Sequence, residues 1–223
     1  YRNRYTNDPS VAGVGNGTAN TNVVWQGRRL LVLKEDSRPI EVDPDTLATR
    51  GEFDFGGRLR SVSLTAHPKL DLHRNELIAF SYQAQGDATR DFVIYIADAD
   101  RRIVHEIPLQ MPYPGMVHDF AVSDSHIIVP FFPLITDLDV VKAGGPYYQW
   151  HPDQKSFYAV VPRRGNAGQV RWFEGPAVSA GHMMNAVTEG DTVHLDLCLY
   201  EGNCFDFFPS NDGSPFKPAP PLL

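Results

Sequence analysis

The sequence predicts an all-β fold, and the spacing of its motifs favours a β-propeller. Short stretches in which apolar residues recur at every second position appear along the whole chain, which is the pattern of strands with one buried face. Turn-forming pairs, among them Asp43-Pro44, Gly56-Gly57 and Glu189-Gly190, separate these stretches. Few windows sustain the apolar stripe of an amphipathic helix. The chain also contains 18 glycines and 18 prolines, which suits many short strands joined by turns.

The individual strands follow from this alternation. We predict strands at residues 23–25, 30–33, 76–82, 92–97, 103–107, 127–131, 157–161 and 192–199. Residues 140–153 contain Gly144-Gly145-Pro146 and three aromatic side chains, and we expect one long inter-strand loop there. A sandwich or a closed barrel would also protect the edges of such strands, so the choice of a propeller depends on the spacing of longer motifs.

The composition is that of an ordinary globular protein and excludes several partners. Of the 223 residues, 42% are hydrophobic and 21% are charged, and the net charge is −7. No run of Lys or Arg offers a surface for nucleic acid. The longest apolar run, residues 127–135, is broken by Pro130 and Pro133 and is far shorter than the roughly 20 residues of a membrane-spanning helix. We therefore expect neither a nucleic-acid partner nor a membrane span.

The two cysteines and the chain ends bear on compartment and completeness. Cys198 and Cys204 form no disulfide framework, so we expect a reducing compartment, the cytoplasm. The sequence starts without Met, and the Pro-rich residues 214–223 contain no closing element. We expect residues 1–223 to be a single propeller domain that is incomplete at both ends. The oligomeric state, monomer or homodimer, stays open.

Three histidines share a spacing that suits successive propeller blades. They lie in the segments Thr65-Ala66-His67-Pro68-Lys69, Val117-His118-Asp119-Phe120 and Gly181-His182-Met183-Met184-Asn185, at intervals of 51 and 64 residues. A four-stranded blade takes about 40 to 50 residues, so each histidine could occupy the same inner-strand position and face the central axis. Zinc sites built from one local motif place ligands two to five residues apart, which does not occur here. Imidazole nitrogens converging from separate blades suit iron.

These three motifs, in this order, resemble those of the carotenoid cleavage oxygenase family. Supporting stretches at residues 19–23, 43–47 and 53–57 extend the resemblance from the first residues to about Asn185. Family members are seven-bladed propellers in which four histidines hold Fe(II) on the axis. The resemblance therefore implies that His67, His118 and His182 are iron ligands and that about four to five blades are present. No position matches the fourth histidine, which in the family lies far toward the C-terminus.

The resemblance also implies roles for the last two residues of the predicted strand Leu30-Leu31-Val32-Leu33-Lys34-Glu35. Glu35 matches a family glutamate that supports a histidine ligand, here His118, by accepting its other N–H. Lys34 precedes it, as in the branch of the family that cleaves lignin-derived stilbenes. Adjacent strand residues point to opposite sides, so Glu35 could brace the iron site while Lys34 reaches the substrate pocket. Phenol and lysine both have ordinary pKa values near 10, and a desolvated Lys34 could share the phenol proton.

The implied reaction is cleavage of the interphenyl double bond of a hydroxylated stilbene by dioxygen, giving two aromatic aldehydes. A phenolate beside Lys34 would push electron density into that double bond. In this branch a tyrosine contacts the phenol, and Tyr1 is the candidate, with Tyr5 as the alternative. Phe205 is a candidate wall of a flat aryl pocket, although it is an equally good core residue.

Two alternatives remain from the sequence. Cleavage of a carotenoid or apocarotenoid would use the same iron and a long apolar tunnel, in which a buried Lys34 would be costly. A second alternative is an inactive propeller fragment that acts as a binding module. The histidines at positions 73, 105, 126, 151 and 194 lie in polar or turn contexts and are interpreted as surface or structural residues.

Overall fold

Antiparallel strands dominate the computed structural model of the chain, which describes residues 9–11 and 17–218. Three sheets have four strands each, and three further pairs of strands form two-stranded sheets within the described residues. This architecture confirms the predicted all-β fold and its identity as part of a propeller. No helix in the described part of the chain is long and apolar enough to span a membrane.

The first two sheets are simple antiparallel meanders, because each strand pairs with the next one along the chain. The first sheet consists of β1 (Asn22–Gln26), β2 (Arg29–Leu33), β3 (Ile40–Val42) and β4 (Thr49–Glu52). The second sheet consists of β5 (Lys69–Asp71), β6 (Glu76–Ser81), β7 (Asp91–Ala97) and β8 (Ile103–Gln110).

The third four-stranded sheet contains an insertion between its second and third strands. It consists of β9 (Ala121–Val122), β10 (His126–Phe131), β13 (Ser156–Pro162) and β14 (Arg171–Gly175). The insertion holds β11 (Leu134–Ile135), helix α1 (Leu138–Lys142) and β12 (Gln149–Trp150). Short 3-10 turns lie at Pro9–Val11 and Ala167–Gln169. The remaining strands are β15 (Val178–Ser179), β16 (Met183–Glu189), β17 (Thr192–Leu197) and β18 (Tyr200–Glu201).

Three four-stranded sheets are present, and the strands after Gly175 pair two by two within the described residues. One expectation about the fold is corrected. Residues 140–153 are not one loop, since they include most of α1 and all of β12. The helix begins where the Asp137 side chain accepts hydrogen bonds from the backbone N–H groups of Asp139 and Val140, a normal N-cap.

Strand β6 is buried along its whole length because sheets cover both of its faces. Ile78 and Phe80 enter a core shared with the third sheet, whereas Leu77 and Ala79 enter a core shared with the first. This alternation follows from the period of two along a strand. The second sheet is therefore fixed on both sides, and the loops at its ends have a rigid base.

Arg163 ties the third sheet to the second through a buried ion pair. It is 7% exposed, and its guanidinium lies 2.8 Å from Oδ2 of Asp71 and 3.1 Å from Oε2 of Glu76. The half-exposed Arg164 also contacts Glu76. Hydrogen bonds from Arg74 outweigh burial and, with those from Arg163, hold the pKa of Asp71 well below its usual range. Loss of Arg163 would leave two poorly solvated carboxylates with only their more exposed partners, Arg74 and Arg164.

We predict that Arg163→Met lowers the free energy of unfolding by about 3 kcal/mol, because it removes one partner of a buried ion pair. Arg164→Met is the matched control, since it removes a more exposed partner of the same Glu76 and should cost about 1 kcal/mol or less. Urea denaturation of both variants measures the difference. Equal losses would contradict the importance assigned to the buried arginine.

Candidate metal centre

The three motif histidines lie in the loops that lead into the first strand of successive sheets. His67 precedes β5, His118 precedes β9, and His182 directly precedes β16. The sequence-based expectation of inner-strand positions is thus wrong by one to three residues. The loops are nevertheless equivalent, so the side chains converge from three different sheets on one point.

The convergence brings the imidazoles into direct contact. The ring centroids are 4.6 Å apart for His67 and His118, 4.7 Å for His67 and His182, and 4.9 Å for His118 and His182. Nε2 of His67 lies 3.2 Å from Nε2 of His118. One nitrogen from each of the three rings lies within 4.8 Å of the others. The rings of His67 and His118 are partly buried, whereas the side chain of His182 is 63% exposed.

This nitrogen set fits a divalent metal ion. Metal–imidazole bonds are about 2.1 Å long, so two ligand nitrogens at a right angle around one ion lie about 3 Å apart, close to the observed Nε2–Nε2 distance. Burial, together with repulsion from His118, lowers the pKa of His67 to about 4. A neutral imidazole is the form that binds metals. Three neutral nitrogen ligands leave the charge of the ion uncompensated within the triad and suit iron among several transition metals.

Glu35 fixes the orientation of His118. Its Oε2 lies 2.6 Å from Nδ1 of His118, and both side chains are about one-fifth exposed. Burial alone would lower the pKa of His118, but the hydrogen bond and charge of Glu35 outweigh it and raise that pKa. When the ring is neutral, donation from Nδ1 to Glu35 leaves the Nε2 lone pair directed at the point of convergence.

Lys34 and Glu35 lie in a turn rather than in a strand. Strand β2 ends at Leu33, and the N–H of Ser37 donates to the carbonyl of Lys34 at 3.2 Å. The argument from alternating strand faces therefore does not apply. The two side chains nevertheless have different partners. Glu35 contacts His118, whereas Lys34 pairs with Asp36. The other carboxylate oxygen of Asp36, Oδ1, is buried and has no hydrogen-bond partner among the described residues.

A small pocket lies beside His118 and includes the predicted Phe205. Its wall consists of His118, Asp119, Met116, Phe132, Met183 and Phe205, with four small or apolar neighbours. Phe205 is partly buried and contacts the rings of Phe207 and Phe208 at centroid distances of 5.6 Å. Tyr1 and Tyr5 lie outside the described residues.

The remaining histidines do not join the cluster. Nε2 of His105 lies 2.8 Å from the carbonyl of Gly165, and Nδ1 of His151 lies 3.0 Å from the side-chain amide of Asn211. His194 is exposed on β17. In the described part of the chain, the metal-binding geometry is confined to the three motif histidines.

One residue beside the cluster was missed by sequence reasoning. Asp119, next to His118, is buried and forms a 2.6 Å ion pair with Lys69, which lies two residues after His67. Burial alone would raise the pKa of Asp119, but the bond to Lys69 and other hydrogen bonds outweigh it and lower that pKa. Asp119 and Lys69 could have been found in the sequence, because both belong to the segments that carry the histidines.

Comparisons with a family model and with curated proteins agree on one family. Residues 1–220 match the family model described as retinal pigment epithelial membrane protein (RPE65). An isoeugenol monooxygenase of Pseudomonas putida is 40% identical over 98% of this chain and 46% of its own length. A lignostilbene-α,β-dioxygenase, isozyme III of Sphingomonas paucimobilis, is 37% identical over 98% of this chain and 45% of its own length. The chain thus spans about half the length of these curated relatives.

A solved structure supports the same relation. The crystal structure of a lignostilbene dioxygenase of Pseudomonas brassicacearum superimposes with a TM-score of 0.92 and 46% identity. The match covers 98% of this chain and 45% of that one. The resemblance read from the histidine motifs is thereby confirmed.

We predict that His118→Ala abolishes metal binding, because it removes both a ligand and the partner of Glu35. His105→Ala is the matched control, since it removes a partly buried histidine that bonds only to a carbonyl outside the cluster. Elemental analysis of protein purified without oxygen gives the metal content of each variant. Full occupancy in His118→Ala would show that the ligand set is wrong.

Proposed function

Because the chain belongs to the RPE65 family of carotenoid oxygenases, we propose that its protein is an Fe(II)-dependent dioxygenase that cleaves hydroxylated stilbenes. The bond cleaved is the interphenyl carbon–carbon double bond, and the products are two aromatic aldehydes. The observation that carries the proposal is the cluster of three imidazoles with His118 braced by Glu35. A cytoplasmic location belongs to the same proposal.

The metal ligands contributed by this chain are His67, His118 and His182. Bound Fe(II) would supply the site at which dioxygen is activated for reaction with the alkene. Glu35 holds His118 in the tautomer that offers Nε2, at an oxygen–nitrogen distance of 2.6 Å. A further histidine ligand would come from sequence outside this chain. The triad contributes no negative charge, so the two carboxylates beside it, Glu35 and Asp119, offset the charge of the ion.

Lys34 is proposed to hold the phenol of the substrate. Its Cα is about 3.8 Å from that of Glu35, which contacts His118, so the lysine lies one residue from the metal centre. The ammonium pairs with Asp36, whose buried Oδ1 is free to accept a hydrogen bond from a phenol hydroxyl. Asp36 can thus take up or share the phenol proton, and the Lys34 ammonium stabilises the phenolate that results. The resulting phenolate character raises the electron density of the conjugated double bond.

The residues around the pocket are of the types that line aryl-binding sites. Phe205 and Phe132 lie in the wall of the pocket that contains His118, and Met116 and Met183 add flexible apolar side chains to it. Tyr1 is proposed as the second contact of the phenol hydroxyl, with Tyr5 as the alternative. This assignment rests on the family resemblance.

A second candidate substrate is a phenylpropene such as isoeugenol. A relative that is 40% identical is named as an isoeugenol monooxygenase, and isoeugenol has a 4-hydroxyaryl alkene in common with hydroxylated stilbenes. Both substrates would engage Lys34 in the same way and would differ only in whether a second aryl ring fills the pocket. Apocarotenoids lack a phenol, so they leave the Lys34–Asp36 pair without a partner. We rank hydroxylated stilbenes first because of the lignostilbene relatives and the aromatic wall.

We predict that Lys34→Met reduces turnover of a 4-hydroxystilbene by about 100-fold or more, because it removes the cation that stabilises the phenolate, and that it leaves the metal content unchanged. The matched control is Lys155→Met, which removes a lysine paired with Glu174 on the surface. Aldehyde formation and metal content are measured for both variants. Undiminished turnover in Lys34→Met would refute its role.

The proposed requirement for a phenol hydroxyl can be tested by changing the substrate. The wild-type protein should cleave 4-hydroxystilbene and should leave the matching 4-methoxystilbene nearly untouched, because the ether has no proton to share. Comparable rates for the two compounds would contradict recognition through Lys34 and favour the apolar-tunnel alternative. Isoeugenol assayed in parallel ranks the phenylpropene candidate.

A further inference from the structure

We propose that Asp119 is a positioning residue that holds the three histidine loops in register at the metal centre. The inference rests on the proposed function only in taking His67, His118 and His182 as ligands of one divalent ion. The side chain of Asp119 is 3% exposed. A carboxylate buried to this degree is stable only when its oxygens are bonded to charges or N–H groups.

The bonds of Asp119 reach all three histidine loops. Its Oδ1 accepts a hydrogen bond from Nζ of Lys69, two residues after His67, at 2.6 Å. Its Oδ2 accepts from the backbone N–H of Met183, directly after His182, at 2.9 Å and lies 3.7 Å from Nδ1 of His182. Asp119 itself follows His118. One carboxylate therefore joins the loops that carry the three ligands.

Such a connection is needed because the loops belong to different sheets. Strands β5, β9 and β16 are not paired with one another, so backbone ladders do not set the separation of the loops that precede them. The bond from the N–H of Phe120 to Oδ1, at 2.8 Å, fixes the Asp119 side chain. Lys69 is fixed in turn, since its Nζ lies 5.4 Å from the centroid of the Phe120 ring. These contacts lie directly beside the imidazoles.

The carboxylate also has an electrostatic role. The ion pair with Lys69 keeps Asp119 ionised, and its negative charge next to His118 and His182 favours a bound dication. A purely structural role would affect folding without affecting the metal. Glu76 provides the comparison, because it is also a buried carboxylate held by ion pairs, here with Arg163 and Arg164, and it lies outside the metal centre.

The experiment is an anaerobic Co(II) titration of the natural full-length protein, followed by visible absorption, with thermal unfolding measured alongside. Asp119→Asn keeps the shape of the side chain and removes its charge. We expect it to weaken Co(II) binding by roughly 10- to 100-fold and to alter the cobalt absorption bands. Glu76→Gln, the matched control, should lower the unfolding temperature and leave affinity and spectrum unchanged.

The outcomes separate this inference from the proposed function. Wild-type affinity and an unaltered spectrum in Asp119→Asn would overturn the positioning role. If that variant does not fold, Lys69→Gln carries the test, with a several-fold loss expected and wild-type affinity overturning the proposal. No Co(II) binding by the wild-type protein would instead overturn the histidine site, and this inference with it.

Discussion

Three imidazoles held within 4.8 Å of one another, each from a different sheet, are the constraint on which the described structure depends. Side chains from separate sheets meet only if the sheets themselves are fixed in relation to one another. A buried core joins the second and third sheets, and a smaller cluster of Ala121, Ile128 and Ala186 joins the third sheet to the β16–β17 pair that follows His182. The convergence of the three imidazoles therefore depends on the packing between the sheets.

Charge placement around the cluster follows from the same constraint. Three neutral ligands accept a dication without compensating it, and two partly or fully buried carboxylates, Glu35 and Asp119, lie beside them. Each carboxylate has a specific task. Glu35 orients one ring through Nδ1, whereas Asp119 bonds to the first residues of β5 and β16. Lys34 and Asp36, which flank Glu35 in the chain, form an ion pair with each other.

The sequence predicted eight of the 18 described strands and missed ten, among them β14 and β16, whose side chains are mostly exposed. The convergence of the histidines was predicted from their spacing and from the family resemblance. Alternating apolar residues located β6, β7, β10 and β13, since their faces are buried on one or both sides. Contacts between residues that lie far apart in the sequence were harder to predict. Glu35 could be assigned to His118 only by resemblance, because their bond spans 83 residues. The turn that ends β2 at Leu33 was missed, and so was α1, which has five residues and only the Asp137 cap as a signal.

The central claim, iron-dependent cleavage of a hydroxylated stilbene, is tested most directly by removing and restoring the metal. The natural full-length protein would be stripped with a chelator without oxygen and then assayed with 4-hydroxystilbene after addition of Fe(II), Zn(II) or buffer. The account predicts that only the Fe(II)-loaded protein forms two aldehydes. Aldehyde formation by the stripped protein, or none by the Fe(II)-loaded protein, would contradict it.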